Sequence, residues 1–152
     1  MARAKAKSDR HGLYDRDFNL WVEEQLALLK AGAFERLDLA NLIEEIADMA
    51  RSPRKAIRSD LVVLFTHLRK WQHQPQGRST SWAGSIVEHR RRIREEIEES
   101  PSLAGYPGEI FERCYLAARE QAAAESGLPQ SRFPQTSPYT VDQTLDPDFL
   151  PE

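Results

Sequence analysis

The feature that most constrains the fold is the segment between Pro53 and Gln72, which is apolar around much of its helical circumference. Five of its side chains recur at helical spacing: Ile57, Leu61, Leu64, Leu68 and Trp71. Three more widen that stripe: Val62, Val63 and Phe65. A helix of this kind needs covering from several sides and is therefore usually central. We predict a helix over residues 53–72 at the centre of a helical bundle.

Two amphipathic segments precede it. The first is predicted to run from Asp15 or Asp17, either of which would cap the free N–H groups, to Ala31, before Gly32. One face of this helix holds Phe18, Trp21, Val22, Leu28 and Leu29. The second starts after Asp38, and its predicted buried stripe is Leu39, Leu42, Ile43, Ile46 and Ala50. Ser52-Pro53 resembles an N-cap followed by a first-turn proline, which predicts a break between this helix and the central one, with a kinked continuous helix as the alternative.

Two amphipathic segments follow it. Pro75 and Gly77 predict a turn, after which Ser79, Thr80 or Ser81 caps a helix to about Glu99. Its stripe comprises Trp82, Ile86, His89, Ile93 and Ile97. A further helix is predicted from Pro107 to Gly127, with one inward face: Ile110, Phe111, Cys114, Tyr115, Ala118 and Ala122. The helices of residues 53–72 and 79–99 would form an antiparallel hairpin.

From Leu128 onward, prolines exclude a regular strand or a long helix, yet large apolar residues recur singly. We therefore expect an extended tail docked on the bundle, with a short helix near Val141–Leu145. The predicted fold is all-α: a bundle of about five helices with an irregular proline-rich C-terminal tail packed on it. Residues 1–13 are predicted to be a flexible basic arm, and residues 14–152 one domain that includes the docked tail 128–152.

The charges are segregated along the chain, although the net charge is only −3. Residues 1–10 carry +3 and residues 11–50 carry −6, while residues 51–94 carry +9 and residues 95–152 carry −9. No apolar run approaches the ~20 residues of a membrane span, and the basic N-terminus lacks the apolar segment of a secretory signal. A single cysteine, Cys114, excludes an internal disulfide. We expect a cytoplasmic protein that does not interact with membranes.

The predicted hairpin corner concentrates polar and aromatic side chains between His67 and Trp82. We expect any pocket there, with His89 close by, and its candidate residues are His67, Lys70, Trp71, Gln74, Arg78, Ser81, Trp82 and His89. A simpler interpretation is structural, in which the two tryptophans close one end of the core. Cations such as Arg69, Lys70 and Arg78 would then lie over ring faces.

The basic block offers a candidate surface for phosphates. Its candidate residues are Arg51, Arg54, Lys55, Arg58, Arg90, Arg91, Arg92 and Arg94. Nucleic-acid binding is therefore possible. However, residues 90–94 are followed by four glutamates, which predicts the ion pairs Arg91–Glu95, Arg92–Glu96 and Arg94–Glu98.

Catalysis is less well supported. His67, His89 and the carboxylates Glu44, Glu45 and Asp48 would converge on a metal only if three predicted helices met. The spacing matches no metal motif, and the serines are explained as helix caps, so we predict no metal, no cofactor and no catalytic residue. A metal-dependent enzyme remains a third hypothesis.

The order of several motifs resembles the bacterial family called "domain of unknown function 29". The matching elements are Tyr14-Asp15-Arg16-Asp17-Phe18, Trp21, Leu39–Met49, His67-Leu68-Arg69-Lys70-Trp71, Gln74-Pro75, Arg78-Ser79, Ser81-Trp82 and Phe133-Pro134 through Pro138-Tyr139-Thr140. The resemblance covers about Tyr14 to Pro151. It implies an all-helical bacterial protein and no particular activity.

These observations favour a small cytoplasmic binding or adaptor protein. Opposed charge blocks without a catalytic pattern are typical of proteins that recognise a protein partner or associate with themselves. Nucleic-acid binding is the first alternative.

Overall fold

A computed structural model describes residues 12–152 of the chain. The described part is all-α and contains no strand. Residues 12–16 are helical and lead into the first of five labelled helices: α1 (Phe18–Lys30), α2 (Leu39–His73), α3 (Thr80–Glu99), α4 (Tyr106–Ser126) and α5 (Val141–Leu145). Most of the predicted basic arm, residues 1–11, lies outside the described residues.

Contacts divide the chain into two compact units, residues 1–50 and residues 51–152. The boundary falls inside α2, which is continuous over 35 residues. The predicted break at Ser52-Pro53 is therefore wrong. Proline removes one helical hydrogen bond, to the carbonyl four residues earlier, and here that residue is the exposed Met49. Water can satisfy a carbonyl at an exposed position, which lowers the cost of a proline inside the helix.

In the first unit, α1 packs against the N-terminal part of α2 through buried polar contacts. Asp38 accepts a hydrogen bond from Trp21 Nε1 at 3.1 Å, and its backbone N–H donates to Gln25 Oε1 at 2.8 Å. Tyr14 Oη donates to Glu45 Oε1 at 2.5 Å. Residue 14 thus pairs with 45 and residue 21 with 38, which makes the two helices antiparallel.

Much of the predicted apolar packing in this unit is wrong. Trp21 and Leu28 are buried, but Phe18, Val22 and Leu29 are exposed. In α2 only Leu42 is partly buried, whereas the rest of the predicted stripe is exposed: Leu39, Ile43, Ile46 and Ala50. The physical reason is that each helix of this two-helix unit is covered by the other along one side only.

The second unit contains the predicted core. Ile57, Leu61, Leu64 and Leu68 of α2 are fully buried. They pack with Ile86 and Ile93 of α3 and with one face of α4: Ile110, Phe111, Cys114, Tyr115 and Ala118. Each buried leucine, isoleucine or phenylalanine side chain among them contributes about 1.5–3 kcal/mol by leaving water.

Local capping explains the helix ends in this unit. Ser79 Oγ accepts from the Trp82 N–H at 3.2 Å, Gly127 ends α4 at φ 70°, and Thr140 and Gln143 form a capping box on α5. The predicted short helix is thereby confirmed. The tail docks as predicted, with Phe133 and Tyr139 buried.

Candidate functional site

The hairpin corner is closed by two stacked pairs of a cation and a ring. Lys70 Nζ lies 4.6 Å from the centre of the Trp82 ring, and the Arg78 guanidinium lies 5.3 Å from that of Trp71. Arg78 Nε also donates to the Trp71 carbonyl at 2.8 Å. The structural interpretation of this corner is confirmed for both cations, and it requires no ligand.

The other polar side chains of the corner attach α2 to α4. Lys70 Nζ lies 2.9 Å from Glu125 Oε2, and Gln74 Nε2 donates to the Ser126 carbonyl at 3.4 Å. Hydrogen bonds from Gln121 and Lys70 lower the pKa of Glu125. These contacts explain most of the polar residues that made the corner look like a site.

An open groove of about 470 Å³ lies beside these contacts. Its lining comes from α2 and α4: Arg58, Ser59, Val62, Val63, Thr66, His67, Ala117, Gln121 and Glu125. Of the eight predicted pocket residues, all within the described part of the chain, only His67 lines it. His67 Nδ1 lies 2.9 Å from the Val63 carbonyl of its own helix, and because a carbonyl oxygen can only accept, Nδ1 donates to it.

His89 lies elsewhere and is paired. Its Nδ1 is 2.6 Å from Asp60 Oδ1, and Arg92 Nη1 is 3.9 Å from the same oxygen. Ser81 is exposed in the first turn of α3. Among residues 12–152, no group of three or more His, Cys, Asp or Glu side chains is arranged to hold a metal.

The run of arginines on α3 is largely neutralised by its own helix. Arg91 binds Glu95 and Arg94 lies 3.9 Å from Glu98, as predicted, and Arg91 also binds Glu88. Arg92 Nε binds Glu88 at 2.9 Å and does not use the predicted Glu96. Two arginine hydrogen bonds lower the pKa of Glu88 to about 2.

The remaining candidate cations differ in position. Arg90 is buried and contributes nothing to a basic surface. Arg51, Arg54, Lys55 and Arg58 are exposed along α2, and the Arg54 guanidinium lies 5.7 Å from the centre of the Tyr106 ring.

Arg69, which we predicted to lie over a ring face at the corner, is a fully buried cation. Its Nη1 donates to Tyr139 Oη at 2.8 Å and to Gln72 Oε1 at 3.1 Å. Its Nη2 lies 2.5 Å from His73 Nε2, and its guanidinium lies over the rings of Tyr115 and Tyr139 at 5.9 Å and 5.2 Å. Burial raises the pKa of Tyr139 to about 12. Burial, together with the charges of Arg69 and Arg132, lowers the pKa of His73.

Three arginines hold the tail, one from each long helix of the second unit. Arg69 of α2 binds Tyr139, and Arg119 of α4 donates to the Phe133 carbonyl at 3.0 Å. Arg90 of α3 donates to the carbonyls of Thr144, Pro147 and Phe149 at 2.9, 3.4 and 2.8 Å. These arginines are structural, and we call them the tail clamp. Charge alone did not identify them, because a buried and an exposed arginine look alike in sequence.

The most unusual surface lies in the first unit. Nine large apolar side chains of α1 and the N-terminal part of α2 are exposed there. Leu20 projects from the side of α1 opposite to Phe18, and we call the other eight the apolar face: Phe18, Val22, Leu26, Leu29, Leu39, Ile43, Ile46 and Met49. Most of them were predicted to be core. Periodicity identified the stripe but could not show that its side chains are exposed rather than buried within the described part of the chain.

Within the described residues, no helix combines the length and the apolarity that a membrane crossing requires.

Comparisons with known proteins identify a family. The family described as "Domain of unknown function DUF29" matches residues 13–150. Neither the curated proteins nor the solved structures provide a match. The family match covers nearly the whole chain, and the chain therefore belongs to the family described as domain of unknown function DUF29.

Proposed function

We propose that this protein is a binding or adaptor protein of the bacterial cytoplasm that acts through protein–protein contacts at the apolar face. The observation that supports this proposal is the exposure of eight large apolar side chains on two helices of the first unit. Contiguous exposed apolar surface of this kind is typical of interaction sites, because leaving it in water is unfavourable.

The charge layout supports the same proposal. Residues 11–50 carry −6, yet none of the residues of the apolar face is charged. Interaction surfaces commonly have an uncharged centre and a charged periphery that selects the partner and speeds its approach.

The nucleic-acid alternative receives less support. Arg90 is buried in the tail clamp, while Arg91, Arg92 and Arg94 have carboxylate partners on α3. Phosphate binding at this run would have to displace those carboxylates, which reduces the electrostatic gain.

The experiment is a capture assay with matched baits. The baits are the wild type, the double variant Ile43→Lys/Ile46→Lys, and the control Val87→Lys, which alters an exposed apolar residue of α3. We expect the wild type and the control to retain the same protein from a lysate of the native cells at low salt, and the double variant to lose it. A retained copy of the chain itself counts as a partner.

The proposal is rejected if the purified chain is monomeric and the wild type retains nothing that the double variant loses. Salt-dependent binding of short oligonucleotides that persists in the double variant would instead favour the nucleic-acid alternative.

A further inference from the structure

The apolar face is one continuous surface. In α1, Trp21 and Gln25 lie on the side that faces α2. Viewed along the helix axis from its N-terminus, the exposed side chains Phe18, Val22 and Leu29 lie about a quarter-turn clockwise from that side. Viewed from the N-terminus of α2, the stripe that contains Ile43 is likewise displaced clockwise from the side that carries Asp38 and Glu45. Because the helices are antiparallel, equal rotations about their axes bring both stripes to the same side of the pair.

The area of this face matches what a stable protein interface requires. Its eight residues are between 39% and 72% exposed. At roughly 150–200 Å² for each fully exposed large side chain, they present about 800 Å², which is the area each partner buries in an interface of standard size. A single docked helix would cover one groove and leave much of this area in water.

We infer that the apolar face binds a second copy of this chain, so that two first units pack face to face. Together they form a two-fold symmetric bundle of four helices in two layers. This inference rests on the proposed function and names its partner. Two-fold symmetry lets one surface serve both copies, and a layer of two helices is the shape that covers another layer of two helices.

The charges are compatible with this arrangement. Helical geometry puts Glu24, Glu44 and Asp48 on the sides of their helices that point away from the apolar stripes. In the dimer they would remain on the outer surfaces, where water and salt screen their repulsion.

Other occupants fit less well. Residues 1–11 contain one large apolar side chain, Met1, and cannot cover eight. The −6 charge of residues 11–50 opposes docking on an anionic lipid surface.

The test is the molar mass in solution, measured by light scattering after gel filtration and by sedimentation equilibrium over a range of concentrations. We expect the wild type and Val87→Lys to approach twice 17.4 kDa, and Ile43→Lys/Ile46→Lys to remain at 17.4 kDa with an unchanged helical spectrum. Leu39→Gln/Met49→Gln removes apolar area without adding charge. This second double variant should also dissociate, which guards against misfolding of the first.

Salt provides an independent readout. Raising the salt to about 0.5 M should tighten the dimer, because it screens repulsion between acidic units and leaves apolar contact intact. Dissociation by salt would contradict the inference.

Other outcomes separate this inference from the proposed function. A wild type that stays monomeric overturns the dimer, and so does a dimer that both double variants retain. The proposed function survives that result if the capture assay still returns another protein through the apolar face. Binding of the monomer to phosphatidylglycerol vesicles, abolished in Ile43→Lys/Ile46→Lys, would overturn the dimer in favour of a membrane contact.

Discussion

Arg69 and Tyr139 are 70 positions apart in sequence, yet Arg69 Nη1 donates to Tyr139 Oη at 2.8 Å, and the guanidinium lies 5.2 Å from the centre of the same ring. Tyr139 Oη in turn donates to Gln72 Oε1 at 2.6 Å. A single side chain of the tail therefore satisfies polar groups on the central helix. Arg69 Nε has no hydrogen-bond partner among residues 12–152, so the cation depends on the contacts that its other nitrogens make.

Replacing Tyr139 with phenylalanine should destabilise the protein by about 1–3 kcal/mol, because a buried donor of Arg69 loses its acceptor while the ring remains. The free energy of unfolding in urea, followed by helical circular dichroism, measures the effect. Tyr106→Phe, which keeps the ring beneath Arg54, is the control. Equal stability of the two variants would contradict a role for the Tyr139 hydroxyl.

Replacing Arg90 with methionine should cost about 2–4 kcal/mol and release the end of the tail, since three carbonyls lose a charged donor. Limited proteolysis with mass spectrometry should show that the Arg90→Met variant is cleaved first at sites beyond residue 140, before the rest of its chain is digested. Arg94→Met on the same helix removes an exposed ion pair and should change stability by less than about 0.5 kcal/mol. Identical protease resistance in both variants would argue against the clamp.

Stability should fall as the pH drops below the ordinary pKa of histidine, about 6.5. Burial, with Arg69 and Arg132 nearby, lowers the pKa of His73 in the folded protein, so in that range the unfolded chain binds a proton that the folded chain does not. The loss begins near the unfolded pKa and levels off below the folded one.

The measurement is urea unfolding at about pH 7.5 and pH 5.5, a window above the carboxylate range. His73→Gln retains an acceptor for Arg69 but cannot titrate, so its stability should change less between the two pH values. If His73→Gln shows the full loss of the wild type, another group is responsible.

Alanine substitutions at Gly77 and Gly84 should change the stability of the protein in opposite directions. A Cβ at Gly77 would lie 2.7 Å from Trp82 Cη2, so Gly77→Ala should cost about 1–3 kcal/mol by displacing that ring. A Cβ at Gly84 meets nothing within 4 Å, and alanine within α3 should add roughly 0.5–1 kcal/mol. Urea unfolding of both variants, with tryptophan fluorescence for the corner, tests the pair. Similar changes in both would contradict the close approach of Gly77 to Trp82.

Sequence predicted the second unit well because its signals are local. Ser79, Gly127 and Thr140 cap helices through neighbours within a few residues, and the stripe from Ile57 to Leu68 is buried as its period indicates. Pro53 was a misleading signal, because the helix break that it predicted does not occur. A proline removes only one helical bond, and whether that bond matters depends on the exposure of the preceding turn.

The candidate site was less predictable because it depends on what lies beyond each helix. The exposed Ile43 and the buried Leu64 occupy stripes of the same kind, and only the tertiary structure distinguishes them. Arg90 and Arg94 lie one turn apart on α3, yet one is buried against the tail and the other is in solvent. The candidate pocket was predicted at the hairpin corner because unusual residues cluster there, and the structure shows several of them in contact with one another and with α4.

The tail clamp has a consequence for folding during synthesis on the ribosome. The central helix and α3 are synthesised long before residues 139–149, which supply acceptors to Arg69 and Arg90. A nascent chain that stops short of Tyr139 would hold two guanidinium groups where water is scarce, without their tail partners. Such a chain should remain loosely packed and open to proteases, so that the core closes only after residues 139–149 have been synthesised.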